Sequence, residues 1–471
     1  MRRAALATAL CILSVVVAGF MHAGVAQARS APVLRGICDP GLIEGWSTRG
    51  PAVVREFSTS LGADVVRINL RWSESEQRRG VYDEDYLGRA QAAVQAIRAH
   101  GMQAVVLVYQ PPRWASDRRF WGTPVNGDRA GVYQPYYPPS IDSLDAFQAF
   151  AQHLAQKLEG EVLGYSCWVE PNLWTYLYPQ RTSSDSAFAA HRYTRMLKAF
   201  SQGVRAGDPA AQVIAGETSP TGDNTRLRTS PRRFAVQMRL AGAAEHFDVF
   251  AHHPYPVAGN KRIAPAAMPR DPSHTVWLAN LGSLLGVFPD KPFYLTEFAY
   301  ATAPSHLFGV WVSDAQQAAY LNAAFRVASR YDRVQLLLWF PRKDHAAGAS
   351  YRDPWGNFSG LRTLRGVRKR AYYAYAGGNQ LTMKAPPSVR SGGTLTLRGR
   401  LTSERMGALA GKSLNVVARR PGKSRASVTR ARTRSDGSYV VRVRVRRSAT
   451  WKVSWSGVVA SPTDWVPVKT R

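Results

Sequence analysis

The sequence predicts an α/β fold class, a (β/α)8 TIM barrel followed by a C-terminal β-sandwich, from three observations. Eight short apolar runs alternate with longer amphipathic segments between Ala31 and Gly378, which is the strand count of such a barrel. After Gly377-Gly378 the pattern changes to two-residue alternation, which is typical of half-buried strands. The chain is 45% hydrophobic over 471 residues, enough for two separate cores. We therefore divide it into residues 1–28, 29–378 and 379–471.

The N-terminal segment, residues 1–28, has the features of a secretory signal peptide. Arg2 and Arg3 precede an apolar stretch, and a small-residue tract ends in Ala26-Gln27-Ala28. A single membrane anchor is the alternative, but the apolar core is shorter than the roughly 20 residues that a spanning helix needs. No later segment is continuous enough to span a membrane. We expect a secreted, extracellular protein, with association with the cell wall as an open extension.

The cysteines predict buried thiols rather than a disulfide framework. Cys11 lies in the signal, which leaves Cys38 and Cys167, too few for a disulfide-dependent fold. They fall in the first and fourth predicted strands, which are not barrel neighbours, so a bridge between them is not expected.

The eight predicted barrel strands are continuous apolar runs, as expected where both faces of a sheet are covered. They are Leu34–Cys38, Val65–Leu70, Ala104–Tyr109, Leu163–Val169, Val213–Gly216, Phe247–Ala251, Phe293–Thr296 and Val334–Trp339. Helix stops are predicted at His100-Gly101 and Gly207-Asp208-Pro209, and a capping box of Ser313 and Gln316 begins a helix through Arg330. An open α/β sheet remains the structural alternative. No Gly-rich phosphate loop follows the first strand, which argues against a nucleotide-binding version.

The C-terminal segment, residues 379–471, predicts a two-sheet sandwich of immunoglobulin-like form. Its predicted strands are Leu395–Leu401, Ser413–Ala418, Ser427–Ala431, Tyr439–Arg446 and Trp451–Trp455, with Asp436-Gly437 as a hairpin turn. The run from Val441 to Arg446 alternates valine with arginine, which puts arginine on one face. An accessory attachment or binding module and a mere spacer are both compatible with this pattern.

The net charge of +30 is concentrated at the C-terminus. Residues 381–471 hold 20 Lys and Arg against 3 Asp and Glu, a net charge of +17. For a secreted protein this favours an anionic cell-wall polymer over nucleic acid as the partner. Solvated arginines without a specific partner are the alternative.

Two apolar runs end on a single glutamate. These are Trp168-Val169-Glu170-Pro171-Asn172 and Leu295-Thr296-Glu297-Phe298-Ala299-Tyr300. One glutamate at a strand end is more often an ion-pair or capping group than a catalyst. Two carboxylates at the ends of barrel strands are, however, what glycosidic hydrolysis requires. Strand alternation would put Trp168 on the same face as Glu170, where an aromatic neighbour raises the pKa of the acid.

Five short motifs in chain order resemble those of the clan A glycoside hydrolases, a retaining (β/α)8 superfamily that includes families 5 and 39. The resemblance spans about residues 33–377. Trp-Val-Glu-Pro is similar to the clan's acid/base motif and Leu-Thr-Glu-Phe to its nucleophile motif. The other three matches are Arg67 on strand 2, His253-Pro254-Tyr255 after strand 6 and Trp339 on strand 8.

The resemblance implies double displacement without a cofactor or a metal. Glu297 would attack the anomeric carbon and Glu170 would act as acid and then as base, with the carboxylates about 5–5.5 Å apart. Arg67 would keep Glu297 ionised, and Tyr255 would donate to it. The paired His252-His253 lacks the further ligands of a metal site. The expected substrate-binding residues are Arg67, Trp114, Asn172, His253, Tyr255 and Trp339.

Two departures from the clan pattern keep other functions open. Val169 replaces the asparagine that usually contacts the sugar 2-hydroxyl, and Tyr109-Gln110-Pro111-Pro112-Arg113-Trp114 stands where many members have histidine. A non-hydrolytic saccharide-binding or envelope-attachment protein is therefore the main alternative, and a basic adhesin the second. Glu217, at the end of strand 5, is a third acid that could contact substrate, although a salt bridge is the simpler interpretation.

Aromatic residues are abundant in the loops after strands 3 and 4. They either stack on the sugars of a polysaccharide or bury one another as loop cores. The set is Trp114, Trp121, Tyr133, Tyr136, Tyr137, Trp174, Tyr176 and Tyr178.

Overall fold

The computed structural model describes most of the chain after the predicted signal. The described residues are 32–121, 133–256, 263–304, 311–346, 357–377, 380–403, 407–422, 424, 426–455 and 466–471. The predicted signal at residues 1–28 and the predicted boundary at 378–379 lie outside them. No helix within these ranges is long and apolar enough to cross a membrane.

Eight parallel strands close into a barrel, because β1 pairs with both β2 and β8. The strands are β1 Leu34–Cys38, β2 Val65–Arg71, β3 Gln103–Tyr109, β4 Gly164–Cys167, β5 Gln212–Thr218, β6 Val249–His252, β7 Phe293–Phe298 and β8 Val334–Trp339. All eight predicted barrel strands are confirmed, and the closure excludes the open sheet.

Helices alternate with these strands and surround them. They are α1 Trp46–Arg55, α2 Trp72–Ser75, α3 Glu84–Ala99, α4 Leu144–Lys157, α5 Phe188–Gly207, α6 Pro231–Leu240, α7 Gly282–Leu285, α8 Asp314–Ala328 and α9 Arg370–Tyr375; a π-helical turn, Glu56–Leu61, continues α1. The 3-10 turns are Arg118–Phe120, Ile141–Ser143, Ala243–His246 and Leu278–Asn280. The predicted stops of α3 and α5 and the Ser313 capping box of α8 are confirmed.

The barrel interior changes from apolar to polar along the strands. Val65, Ala251 and Tyr294 belong to the apolar cluster inside the barrel. Side chains alternate between the two faces of a strand, so the next inward position of each strand lies two residues further on. Those positions are occupied by Arg67, His253 and Thr296, and all three are buried. These three strands therefore place polar side chains directly above the apolar layer, at the carboxyl ends where barrel enzymes hold their active sites.

Two largely antiparallel sheets follow the barrel and share one core, with one parallel strand pair between Ser388–Val389 and Val466–Thr470. The strands are β9 Gln380–Leu381, β10 Ser388–Val389, β11 Thr394–Ser403, β12 Gly407–Ala408, β13 Ser413–Arg419, β14 Ala426–Arg432, β15 Ser438–Arg444, β16 Ala449–Trp455 and β17 Val466–Thr470. One sheet has the order β10-β17-β16-β13-β14, and the other has β12-β11-β15 with β9 beside β11. Leu395 and Leu397 of the second sheet pack in one cluster with Val416 and Val453 of the first. The predicted sandwich architecture is confirmed, although β9, β10, β12 and β17 were not predicted.

The predicted hairpin at Asp436-Gly437 is wrong. The two residues do form a turn, with Gly437 at φ +74°. The strands on either side, β14 and β15, lie in different sheets. The Asp-Gly pair therefore carries the chain from one sheet to the other, because each strand finds its partner elsewhere.

Both cysteines retained after the predicted signal are free and buried, as expected. Burial raises the pKa of Cys38 to about 12. Each thiol therefore stays protonated and behaves as a small apolar side chain.

We expect Gly203→Ala to destabilise the protein by roughly 1–3 kcal/mol. Gly203 lies where α5 crosses α4, and a Cβ there would come within 2.2 Å of the Gln148 carbonyl oxygen. Gly88→Ala is the matched control on α3, because a Cβ there meets nothing within 4 Å. It should stabilise the helix by roughly 0.5–1 kcal/mol. Denaturant unfolding of both variants tests this, and equal changes in the two would contradict close packing at Gly203.

Candidate active site

Arg67 is the centre of a buried charge cluster at the carboxyl end of the barrel. Its side chain is fully buried on β2, and it donates from Nη1 to Glu217 at 3.1 Å and from Nη2 to Glu297. Burial opposes a charged guanidinium, but the carboxylates outweigh it and raise the pKa of Arg67 above its usual value. A buried charge is tolerated only when it is paired and hydrogen-bonded. The two carboxylates are therefore held in place by the cation that they compensate.

Glu217 and Glu297 each lie at an irregularity in strand pairing. The β5–β6 register shifts between Ala215 and Thr218, and the β7–β8 register shifts between Leu295 and Phe298. An extra residue in one strand redirects a side chain, and such bulges are frequent beside active sites. At β5 the bulge requires Gly216, which has φ +97°, because a Cβ there would meet the Phe250 ring at 2.7 Å.

Left-handed backbone directs Glu170 into the same cluster. β4 ends at Cys167, and Trp168 and Glu170 have φ values of +67° and +37°. Such conformations cost non-glycine residues about 1–3 kcal/mol each and are concentrated at functional sites. They also interrupt strand alternation, so the predicted shared face of Trp168 and Glu170 is wrong. The Trp168 ring instead packs against Phe147 of α4, with centroids 6.1 Å apart.

His253 connects the three glutamates. Its Nδ1 lies 3.0 Å from Glu170 Oε1 and its Nε2 lies 2.7 Å from Glu217 Oε2. Nδ1 is also 3.7 Å from Glu297 Oε2. Burial alone would lower the pKa of His253, but the carboxylates raise it to about 10. The imidazole is therefore a second buried cation at neutral pH, and it donates from both nitrogens.

The three glutamates differ in exposure. The side chains of Glu170 and Glu297 are 16% and 12% exposed, whereas that of Glu217 is completely buried. The hydroxyl of Tyr255 donates to Glu297 Oε2 at 2.9 Å. Burial raises the pKa of Glu170, although the hydrogen bond from His253 opposes the shift. Only Glu170 and Glu297 of these three can reach a ligand, and burial shifts the pKa of Glu170 in the direction that a general acid needs.

The spacing of Glu170 and Glu297 is limited by their common neighbour. One oxygen of each lies 3.0 Å and 3.7 Å from His253 Nδ1, so these oxygens are no farther apart than the sum of the two distances. In inverting glycosidases the two carboxyl groups are roughly 6.5–9.5 Å apart, which leaves room for a water molecule. In retaining enzymes they are about 5–5.5 Å apart. This upper limit excludes all but the shortest carboxyl separations of inverting enzymes and includes those of retaining enzymes.

The other predicted substrate-binding residues are used in packing. Trp114 is partly buried and donates from Nε1 to the Glu76 carbonyl at 3.0 Å. Trp339 is 2% exposed and donates to the Ser359 carbonyl at 3.0 Å. Asn172 is fully buried; it donates to the carbonyls of Thr229 and Ser219 and accepts from the Ser219 N–H. Asn172 thus connects the loops that follow β4 and β5.

The second histidine and many loop aromatics have structural roles. His252 donates from Nε2 to the Val276 carbonyl and accepts from Thr218, and burial lowers its pKa to about 3. Of the predicted loop aromatics, Trp121, Tyr136, Tyr137 and Tyr178 bury one another in a cluster, with Tyr133 and Trp174 partly buried against it. The loop-core interpretation applies to these rings.

The family model described as Cellulase (glycosyl hydrolase family 5) matches residues 28–330, well over half of the chain. The chain belongs to glycosyl hydrolase family 5. It is therefore a glycoside hydrolase, and the family model covers seven of the eight barrel strands, including those that carry Arg67, Glu217 and Glu297. No curated protein matches the chain in sequence.

Solved structures of other glycosidases have a similar barrel. GH5_18 from Streptomyces cattleya, in complex with Manβ1-4GlcNAc, has a TM-score of 0.53 at 16% identity, over 74% of this chain and 79% of that one. A β-glucosidase from Thermotoga maritima has a TM-score of 0.53 at 11% identity, over 74% and 98%. The exo-β-1,4-mannosidase Op5Man5 from Opitutaceae bacterium strain TAV5 has 0.50 at 18%, over 74% of this chain but 59% of its own. At these identities the likeness shows the fold.

Three further residues, Glu217, Ser166 and Thr296, complete the cluster. The simpler prediction for Glu217, a salt bridge, is confirmed by its pairing with Arg67, whereas the sequence pattern assigns Ser166 and Thr296 no role beyond their apolar strands. The hydroxyls of Ser166 and Thr296 both donate to Glu217, at 2.7 Å and 2.8 Å. The available signal was their polarity: a hydroxyl in a strand buried on both faces needs a hydrogen-bond partner.

We expect Asn172→Ala to lower stability rather than substrate affinity alone. The change leaves the Ser219 N–H and the Thr229 carbonyl without their side-chain partner, which should cost roughly 2–4 kcal/mol. Denaturant unfolding measures this loss of stability. The KM for any substrate that is cleaved measures the alternative, a loss of substrate affinity. Wild-type stability with a raised KM would instead establish a direct contact with substrate.

Proposed function

We propose that this family 5 member is a secreted, retaining glycoside hydrolase that cleaves β-linked O-glycosidic bonds in an oligo- or polysaccharide. The observation that carries the proposal is the placement of Glu170 and Glu297. They are two partly exposed carboxylates from the ends of β4 and β7 that approach a single imidazole nitrogen. The predicted signal at residues 1–28 is the basis for secretion.

Double displacement follows from the different surroundings of the two acids. Glu297 accepts hydrogen bonds from Arg67 and Tyr255, which stabilise a carboxylate and orient it for attack on the anomeric carbon. Glu170, with its pKa raised by burial, keeps a proton for the leaving oxygen. Once the leaving group has departed, Glu170 is a carboxylate and takes a proton from the water that releases the sugar.

The choice of β-linked substrates rests on the comparisons. The family model is described as a cellulase, and the similar structures include a β-glucosidase and an exo-β-1,4-mannosidase. Val169, which is 6% exposed, cannot donate a hydrogen bond to a sugar hydroxyl. A substrate must therefore be oriented by other groups in this cleft.

We expect hydrolysis of one or more members of a panel of β-linked polysaccharides and aryl β-glycosides. Glu170→Ala should lower kcat/KM by about 10²–10⁴-fold because the general acid is lost, and Glu297→Ala should lose at least as much. Glu84→Ala, an exposed acid on α3, is the control and should remain active.

Added azide separates the two roles. In Glu297→Ala it fills the place of the nucleophile and should give an α-glycosyl azide from a β-glycoside. In Glu170→Ala it attacks the glycosyl-enzyme and should give the β-glycosyl azide. Binding without hydrolysis, unchanged in both variants, would overturn the proposal in favour of a non-hydrolytic saccharide-binding protein.

For residues 379–471 we propose an immunoglobulin-like accessory module that binds an anionic wall polysaccharide. The observation that supports it is a cavity of about 690 Å³ at the end of the five-stranded sheet. Arg419, Arg420 and Lys469 line it, all exposed. Apolar walls come from Pro421 and Val468, and no Asp or Glu is among the described lining residues. Such a site favours an anion and attracts it more strongly at low salt.

We expect the full chain to bind polygalacturonate more tightly than neutral dextran, measured as co-sedimentation at increasing salt. Replacing Arg419, Arg420 and Lys469 together by Gln should weaken binding at least about tenfold. The matched control removes the same charge from the other sheet, at Arg398, Arg442 and Arg444, and should retain more of the binding. Equal losses in the two variants would mean that net charge alone, and not the cavity, holds the polymer.

A further inference from the structure

We propose that Glu217 is a positioning residue whose buried negative charge compensates His253, so that His253 stays charged while Glu170 keeps the catalytic proton. The inference rests on the proposed acid role of Glu170 and adds a third glutamate to that chemistry. Glu217 is completely buried, so it cannot touch substrate and must act through its neighbours.

The backbone holds Glu217 in place from both sides. It lies in the β5 bulge at φ +44°, a left-handed conformation that does not occur in a regular strand. The preceding residue, Gly216, donates its N–H to the hydroxyl of Tyr193 on α5, and that hydroxyl donates to the Cys167 carbonyl at the end of β4. The Glu217 carbonyl accepts the N–H of Glu170 at 3.0 Å. The bulge and the turn that carries Glu170 are therefore built as one unit.

The carboxylate of Glu217 has four hydrogen-bond donors. Ser166 donates to Oε1, while Arg67, His253 and Thr296 donate to Oε2. Burial alone would raise the pKa of Glu217, but His253 and Arg67 outweigh it and hold the pKa below its usual value. Glu217 is therefore a permanent negative charge, and it fixes Nε2 of His253 as a donor.

The charges of the cluster balance when Glu170 is protonated. Arg67 and His253 supply two positive charges, and Glu217 and Glu297 supply two negative charges. An ionised Glu170 would leave an uncompensated negative charge in a site of low exposure, which is unfavourable. The two cations therefore compensate Glu217 and Glu297 and leave Glu170 as the acid.

The groups facing His253 come from several elements of the barrel. On its own segment, His252 at the end of β6 precedes His253, and Tyr255 follows two residues later. The pKa of Tyr255 and of Tyr176 is raised by burial and by the nearby glutamates, so both phenols are neutral at the pH of interest. The charged and titratable groups around His253 are thus Arg67 of β2, Glu170 and Tyr176 after β4, Glu217 of β5, His252 of β6, Tyr255 after β6 and Glu297 of β7.

Glu217→Gln tests the role with little change of shape. The amide oxygen can replace Oε2 and accept from Arg67, His253 and Thr296, while the amide nitrogen can donate to Ser166, whose hydroxyl also accepts. What is lost is the negative charge. His253 and Glu170 titrate as a coupled pair, and without Glu217 this pair carries excess positive charge and releases its proton at lower pH.

The first readout is the titration of the His253 ring. NMR of the full chain labelled with ¹⁵N-histidine monitors it, and the His253→Asn variant identifies the His253 signals. In the wild type His253 should stay an imidazolium beyond pH 8, in keeping with its pKa of about 10. In Glu217→Gln its midpoint should fall by about one pH unit or more. This measurement needs no substrate, so it decides the role of Glu217 even if the panel of glycosides shows no hydrolysis.

The second readout is the pH dependence of kcat/KM on the substrate found with the panel. In Glu217→Gln the alkaline limb should move to lower pH by a similar amount, with KM nearly unchanged because Glu217 does not contact substrate. Glu56→Gln is the matched control. Glu56 is a mostly buried carboxylate paired with Arg342 and Arg362, and its loss should leave the alkaline limb in place. The proposal would be overturned if Glu217→Gln had the same His253 titration midpoint and the same alkaline limb as the wild type.

Discussion

The buried guanidinium of Arg67 is the interaction on which the rest of the active-site end depends. A fully buried cation cannot be left without carboxylates, since an isolated charge in the interior costs far more than a folded protein's net stability. Two neighbouring carboxylates, Glu217 and Glu297, supply the compensation. They come from β5 and β7, so the strands must close around β2 for the charge to be paired. The charge cluster is thus complete only in the closed barrel.

The three glutamates have the same side-chain chemistry, and their different exposure distinguishes their roles. Three carboxylates surround His253, yet Glu217 is sealed and the other two are open to the cleft. Between the open pair, Glu297 has Arg67 and Tyr255 as donors, whereas Glu170 is raised in pKa by burial. In the proposed mechanism one residue type thus supplies a structural anion, a nucleophile and an acid, and the difference lies in the donors and the solvent around each. This follows the general rule that surroundings assign acid and base roles.

The architecture was predictable because it depends on periodicity. Continuous apolar runs gave all eight barrel strands, and alternation gave the five longest strands of the sandwich. The site was predictable where a residue lies on a strand of regular geometry, as Arg67 does on β2. It was not predictable at Trp168, because the left-handed turn depends on the Tyr193 hydroxyl and on contacts with β5, which no local pattern contains. The connection at Asp436-Gly437 was misassigned for the same reason, since a turn sequence does not say which strands pair.

Val169 shows how the surrounding structure limits what the site can recognise. In the clan pattern the residue before the acid is an amide that donates to the sugar; here that position is apolar and almost closed to solvent. The nearby amide, Asn172, is fully used by the loops after β4 and β5. The cluster itself has little free polarity, because Arg67, Glu217 and His253 are all engaged with one another. In the proposed mechanism the sugar is therefore oriented by groups above the cluster, while the cluster supplies charge and protons. The chemistry of that mechanism is thus built on the barrel strands and the residues directly after them, and recognition is left to the longer loops, which can change without disturbing Arg67 and its partners.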